Sequence, residues 1–184
     1  MKEDIMKPDA AKNVLHTPLS EEDDIFFMKK ALKQAERAEK IGEVPIGCVI
    51  VYDKKIVGRG YNRRNTAKTA LAHAEITAIS KACKKLGDWR LEGCTMYVTL
   101  EPCQMCSGAI VQSRIDRVVI GAPNPKAGCA GSILNILNHP GFNHQTVITE
   151  NVCSKDSTDI LKRFFKGLRK RLKEQKDENT DQEI

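Results

Sequence analysis

Residues 95–121 read TMYVTLEPCQMCSGAIVQSRIDRVVIG. Thr95–Leu100 is a strand-like run, Gln104–Ser113 continues as a helix and Arg117–Gly121 is strand-like again, so the stretch predicts strand, helix, strand. Pro102 keeps Glu101 extended and helps to end the first strand. Towards the N-terminus, Ala72–Leu86 has helical spacing. Ile46–Tyr52 and Lys55–Tyr61 are two strand runs with Asp53-Lys54 as a turn between them, which predicts a hairpin. Ser20 followed by Asp23 has the form of a capping box, and Ile25, Met28, Leu32 and Ala35 recur at helical spacing. A first helix is therefore expected over Glu21–Lys40, stopped by Gly42. Towards the C-terminus we expect a short helix near Ile133–Leu137, a weak strand near Thr146–Thr149 and a last helix over Lys155–Glu174. Ile160, Phe164, Leu168 and Leu172 form one apolar stripe on that last helix. Helices alternating with strands after an initial hairpin imply a three-layer α/β fold with a mixed sheet.

The 184 residues suit one domain with tails. We expect an N-terminal tail over residues 1–19, which holds Pro8 and Pro18, a domain over 20–174 and an acidic tail over 175–184. No apolar run approaches the roughly 18–20 residues of a membrane span. The start of the chain lacks the form of a signal peptide, so a cytoplasmic protein is expected. Seven cysteines are an odd number, which argues against a complete disulfide framework. Cys48 and Cys83 have apolar neighbours and read as core thiols. Cys129 lies between Gly128 and Ala130 in a loop and is expected to be exposed. The net charge of +6 is concentrated: residues 155–176 hold nine Lys/Arg against three Asp/Glu, whereas residues 177–184 hold four acids and no base. Such a basic stretch is either an anion-facing surface, nucleic acid included, or a solvated helix face.

Two short motifs carry the chemistry, His73-Ala74-Glu75 and Pro102-Cys103-Gln104-Met105-Cys106, each at the start of an expected helix. Residues i and i+2 point about 200° apart around a helix. His73 and Glu75 can therefore converge only if the helix aims its N-terminus at the target. Cys103 before the first turn and Cys106 one turn later meet the same condition, and the partial positive charge of a helix start favours thiolates. One imidazole and two thiolates suit tetrahedral zinc, and three protein ligands leave a fourth position open for water, as in catalytic sites. Glu75 then remains free to move protons. A lone C-x-x-C or H-x-E is weak, but the joint pattern is strong. A closed structural site would need a fourth ligand; His139 and His144 sit in a Pro/Gly-containing loop without the usual spacing. A redox C-x-x-C would leave His73 and Glu75 without a role.

At these residues the chain resembles the zinc nucleoside and nucleobase deaminases, a family whose signature and mechanism are known. Within them it is similar to bacterial tRNA-specific adenosine deaminases. The likeness is carried by residues 99–110, 113–115 and 117–122, together with residues 43–47, 60–62, 72–76 and 139–144, and it spans roughly residues 21–173. The resemblance implies a cytidine-deaminase-like fold with a five-stranded mixed sheet flanked by helices, and one Zn2+ per subunit. It implies His73, Cys103 and Cys106 as zinc ligands, Glu75 as the proton shuttle and Asn62 as a contact to the nucleoside. By its own context Asn62 reads as a turn residue. The resemblance further implies a homodimer acting on a tRNA anticodon loop, converting the wobble adenosine of an arginine tRNA to inosine. Asn124, Lys126 and Arg169 are the expected RNA contacts. Asn124 stands where the family often has an aspartate, which changes the charge next to RNA but not the chemistry.

Two other functions fit parts of the pattern. A deaminase of free guanine or cytosine would share the zinc core but would not need the basic last helix or Ser113-Arg114-Ile115. A non-catalytic, zinc-stabilised RNA-binding subunit would have no use for an unliganded Glu75.

Overall fold

The computed structural model describes residues 19–181, so the tail read over residues 1–19 lies outside the described residues except for Leu19. The elements are α1 (Glu21–Lys40), β1 (Gly47–Tyr52), β2 (Lys55–Tyr61), α2 (Ala74–Leu86), β3 (Thr95–Leu100), α3 (Gln104–Gln112), β4 (Arg117–Ala122), β5 (Val147–Thr149) and α4 (Ser154–Asp181). The five strands form one sheet in the order β2-β1-β3-β4-β5. Pairing is antiparallel between β1 and both β2 and β3, and parallel from β3 through β4 to β5, so the sheet is mixed as expected.

Strand alternation divides the core into two layers. Cys48, Ile50, Met96, Val98, Val118 and Ile120 face α2 and α3, with Ala74, Ala78, Ala82, Leu86 and Ile110 packed against them. The residues between them, Val49, Val51, Tyr97 and Val119, face Phe27, Met28 and Ala31 of α1. The turn of the hairpin places Asp53 and Lys54 at φ 47° and 54°. Two successive left-handed residues make the turn whose twist matches the flanking strands.

The capping box of α1 is formed: Ser20 Oγ accepts from the Asp23 backbone N–H and Asp23 Oδ2 accepts from that of Ser20, both at 3.1 Å. Its buried face includes Met28 and Ala35 as read from the sequence, with Leu32 half-buried, but its edge differs at Ile25. Phe27, Met28, Ala31 and Ala35 are buried, whereas Ile25 is exposed. Gly47 explains how closely this helix lies on β1, because a Cβ there would run into the backbone of Ala31 and Ala35.

Asp24 is a buried acid in that face. It accepts a hydrogen bond from Tyr97 Oη at 2.8 Å and a bidentate pair from Arg117 at 2.8 and 2.6 Å. Arg117 also donates to Thr149 Oγ1, so one carboxylate ties α1 to β3, β4 and β5. Asp24→Ala should lower stability by about 3 kcal/mol, the lower end for breaking a buried pair because Arg117 reaches solvent. Urea denaturation measures it, and a loss under 1 kcal/mol would show the pair to be incidental.

Two C-terminal expectations need correction. No helix forms at residues 133–137; that segment is turns and one bridge, Ala130 to Asn135. The Ile136 N–H, which a helix would direct to the Ser132 carbonyl, donates instead to the Cys129 carbonyl at 3.0 Å. The apolar stripe of α4 is buried only in its first half: Ile160 and Phe164 are covered, whereas Leu172 is 56% exposed. The helix nevertheless continues to Asp181, through most of the stretch read as an acidic tail. An i,i+4 pair, Lys170 with Glu174 at 3.7 Å, is of the kind that supports an exposed helix.

Candidate active site

His73 is the N-cap of α2 and Cys103 is the N-cap of α3, both with extended backbone and neither using its side chain as a cap. Ordinarily a side chain at this position turns back to satisfy the first turn. Here both turn forward to a common point. His73 Nδ1 lies 3.7 Å from Cys103 Sγ and 3.5 Å from Cys106 Sγ. The three ligand atoms are all within 4.8 Å of one another, with Cys106 buried and the other two half-buried. Zinc–sulfur and zinc–nitrogen bonds of about 2.3 and 2.0 Å, meeting at a tetrahedral angle, place nitrogen and sulfur ~3.5 Å apart. The observed separations lie at that value and slightly above it, so the cradle fits one zinc ion.

The two thiols share one proton, which metal binding displaces because zinc takes cysteine as thiolate. Donation from the Cys106 thiol, together with His73, holds Cys103 down at about 4. The same bond, reinforced by burial, pushes Cys106 up. Its hydrogen bond to Cys103 also raises His73.

Glu75 sits in the first turn of α2 and is 4% exposed. Burial pushes its carboxyl above the usual range. Its Oε2 has no hydrogen-bond partner among the described residues, although it is sealed from solvent. An unpartnered buried oxygen is rare in a folded protein and carries a desolvation cost.

The close approach of β2 to α2 sets this geometry. A Cβ on Gly60 would collide with the Ala74 carbonyl. Gly60→Ala should therefore displace the start of α2, costing about 2–3 kcal/mol and reducing zinc retention. Thermal melts and metal counts on the variant test this, and an unchanged metal content would refute it.

A family model for the cytidine and deoxycytidylate deaminase zinc-binding region matches residues 21–122, which include all four of these side chains. The chain belongs to this family. It is 49% identical over 150 residues to a tRNA-specific adenosine deaminase of Bacillus subtilis, covering 82% of this chain and 93% of that one. A solved structure from a study of A-to-I editing by tRNA:A34 deaminases at the wobble position superposes with a TM-score of 0.71 at 40% identity, covering 74% of this chain and 99% of that one. A guanine deaminase from Bacillus subtilis superposes with a TM-score of 0.52 at 42% identity over 53% of this chain and 63% of that one. The chain is a zinc-dependent hydrolytic enzyme.

The remaining sequence-read residues are more dispersed. Asn62 is buried just beyond β2, and its neighbour Arg63 donates from the backbone to the Ala72 carbonyl, next to His73. Asn124 is half-buried in the loop after β4, whereas Lys126 and Arg169 are exposed. Cys129, expected to be exposed, is buried: its Sγ contacts the Ala127 carbonyl, and its backbone N–H donates to the Pro102 carbonyl.

Two acids escaped the sequence reading. Glu101 accepts hydrogen bonds from the backbone N–H groups of Asn124, Ala130 and Ser132 and from the Ser132 hydroxyl. These bonds outweigh the effect of burial and hold its carboxyl below the usual range. Glu101 thereby folds the loop after β4 over the Cys103 end of the site. Glu43 plays a comparable part on the other side. An acid set among apolar residues, Val44-Pro45-Ile46 after Glu43 and Leu100 before Glu101, was the available signal.

Proposed function

We propose that this enzyme hydrolyses adenosine to inosine at the wobble position of a tRNA, an arginine tRNA in particular. The observation that carries the reading is the sealed, unpartnered Glu75 Oε2 beside a three-ligand zinc cradle. Similarity to tRNA-specific adenosine deaminases over most of the chain supports the choice of base and of nucleic acid.

When bound, zinc supplies a Lewis acid that makes water nucleophilic near neutral pH. The chain's own residues do the rest. The water oxygen adds to C6 of adenine and N6 leaves as ammonia, so protons must travel from water to the ring nitrogen beside C6 and to the departing amine. Glu75 carries them, since its raised affinity for a proton suits a group that must hold one between two transfers. Asn62 contacts the nucleoside from the end of β2. A wobble base turned out of the anticodon loop meets a site built at two helix starts, which is how single-stranded RNA bases are usually read.

Asn124, Lys126 and Arg169 contact the RNA in this reading. The exposed basic residues of α4 favour phosphate, so tRNA affinity should fall as salt rises. We place the reaction in a homodimer in the cytoplasm. No disulfide joins the seven cysteines, which suits a reducing compartment, and Leu71 and Trp89, each more than half exposed, offer apolar surface for self-association.

Incubation of the protein with arginine tRNA, followed by inosine mapping, tests the function. Inosine at the wobble base supports it. Turnover of free guanine with tRNA left unmodified would reassign the enzyme to small-molecule deamination.

A further inference from the structure

Glu43 is 1% exposed and lies outside every element of secondary structure. Its two oxygens are committed separately. Oε1 accepts from the Thr66 backbone N–H at 2.6 Å, and Oε2 accepts from Asn62 Nδ2 at 3.3 Å. Asn62 Nδ2 also donates to the Val44 carbonyl at 3.3 Å. Both partners of that amide are acceptors, so only its NH2 can face them. The carbonyl end of Asn62 must point the other way. Asn62 Oδ1 accepts no hydrogen bond from the described residues, and it is not among the sealed polar atoms as Glu75 Oε2 is.

We propose that Glu43 is a positioning residue that locks the amide of Asn62 so that a bare acceptor, Oδ1, faces the bound nucleoside. This rests on the reading of Asn62 as the nucleoside contact. It specifies the chemistry of the contact: the nucleoside must present a donor there, a hydroxyl of the ribose or an exocyclic amine, and a substrate with only an acceptor at that point is disfavoured. Through Thr66 the same carboxylate anchors the loop that leads from β2 to His73, so substrate contact and metal ligand share one support.

Glu43→Gln isolates the effect. The glutamine oxygen can still accept from Thr66 N–H, but its NH2 then confronts Asn62 Nδ2, donor against donor. The Asn62 amide turns over and offers NH2 to the nucleoside instead of oxygen. Steady-state deamination of tRNA is measured for wild type, Glu43→Gln, Asn62→Ala and the double variant, alongside zinc content and melting temperature. Glu43→Gln is expected to lower kcat/KM on the order of 10- to 100-fold, as positional errors near a reacting group do, with zinc content retained. In the Asn62→Ala background the same change should cost less than about 2-fold, since Glu43 then has nothing left to orient. Equal cost in both backgrounds means that Glu43 acts only on the loop, and this overturns the proposal. An Asn62→Ala variant as active as wild type overturns it too, while a wild type inert on tRNA refutes the substrate reading instead. Should Glu43→Gln fail to fold, Asn62→Asp serves: it sets two carboxylates together with no donor between them, so its loss should match or exceed that of Asn62→Ala. Wild-type efficiency in Asn62→Asp would overturn the proposal.

Discussion

Glu75→Ala should lower turnover of tRNA by on the order of 10²–10⁴-fold, the usual contribution of a general acid–base group, while zinc content and tRNA affinity stay near wild type. The expectation follows from position. Glu75 is not one of the three atoms that converge on the metal point, so its removal leaves the cradle of His73, Cys103 and Cys106 whole. It is buried, whereas the basic residues read as RNA contacts, Lys126 and Arg169, are exposed and untouched by the change, so most of the RNA affinity should remain. What disappears is a carboxylate oxygen that is sealed from water and has no hydrogen-bond partner among the described residues. Removing a buried carboxylate with one unpartnered oxygen should also leave stability nearly unchanged, because its desolvation cost is relieved. Single-turnover kinetics with metal analysis on the same preparation measures both halves. Unchanged turnover would remove Glu75 from the chemistry, and a loss of zinc would show that it belongs to the cradle.

Cys106→Ala should abolish zinc retention and, with it, activity. Cys106 is fully buried at the first turn of α3, and no other Cys, His or acid among the described residues joins the cluster to take its place. Two remaining ligands cannot close a tetrahedral site. Because the ion binds the folded chain, its loss removes linked stability, about 4 kcal/mol for an ion present at a thousand times its dissociation constant. For a domain of this length that corresponds to a melting temperature roughly 10 °C lower. Chelator treatment of the wild type should give the same melt, and added zinc should restore the wild type but not the variant. A variant that keeps one zinc per chain would move the metal elsewhere.

The elements that were legible in the sequence are those whose signals are local. The capping box at Ser20 and Asp23, the turn at Asp53-Lys54 and the strand-helix-strand of residues 95–121 all formed where expected. The edge of the buried face of α1 was not legible. Phe26, Phe27 and Met28 are consecutive, and only contact with Val49 and Tyr97 decides which of them is inside. The helix expected at residues 133–137 failed for a related reason, since the Ile136 N–H goes to the Cys129 carbonyl and Glu101, 31 residues from Ser132, holds the start of that loop.

Chemistry followed the same division. Residue types and spacing determined by themselves that an imidazole, two thiolates and an acid stand at two helix starts, because helical geometry fixes what i, i+2 and i+3 can reach. Only the tertiary structure decided that the two starts meet, that Glu75 Oε2 is left without a partner, and that Glu43 and Glu101 hold the loops on either side. A hydrogen bond between residues nineteen or more positions apart leaves no periodic trace in the chain, since its energy depends on where folding brings the two groups and not on how far apart they are in sequence.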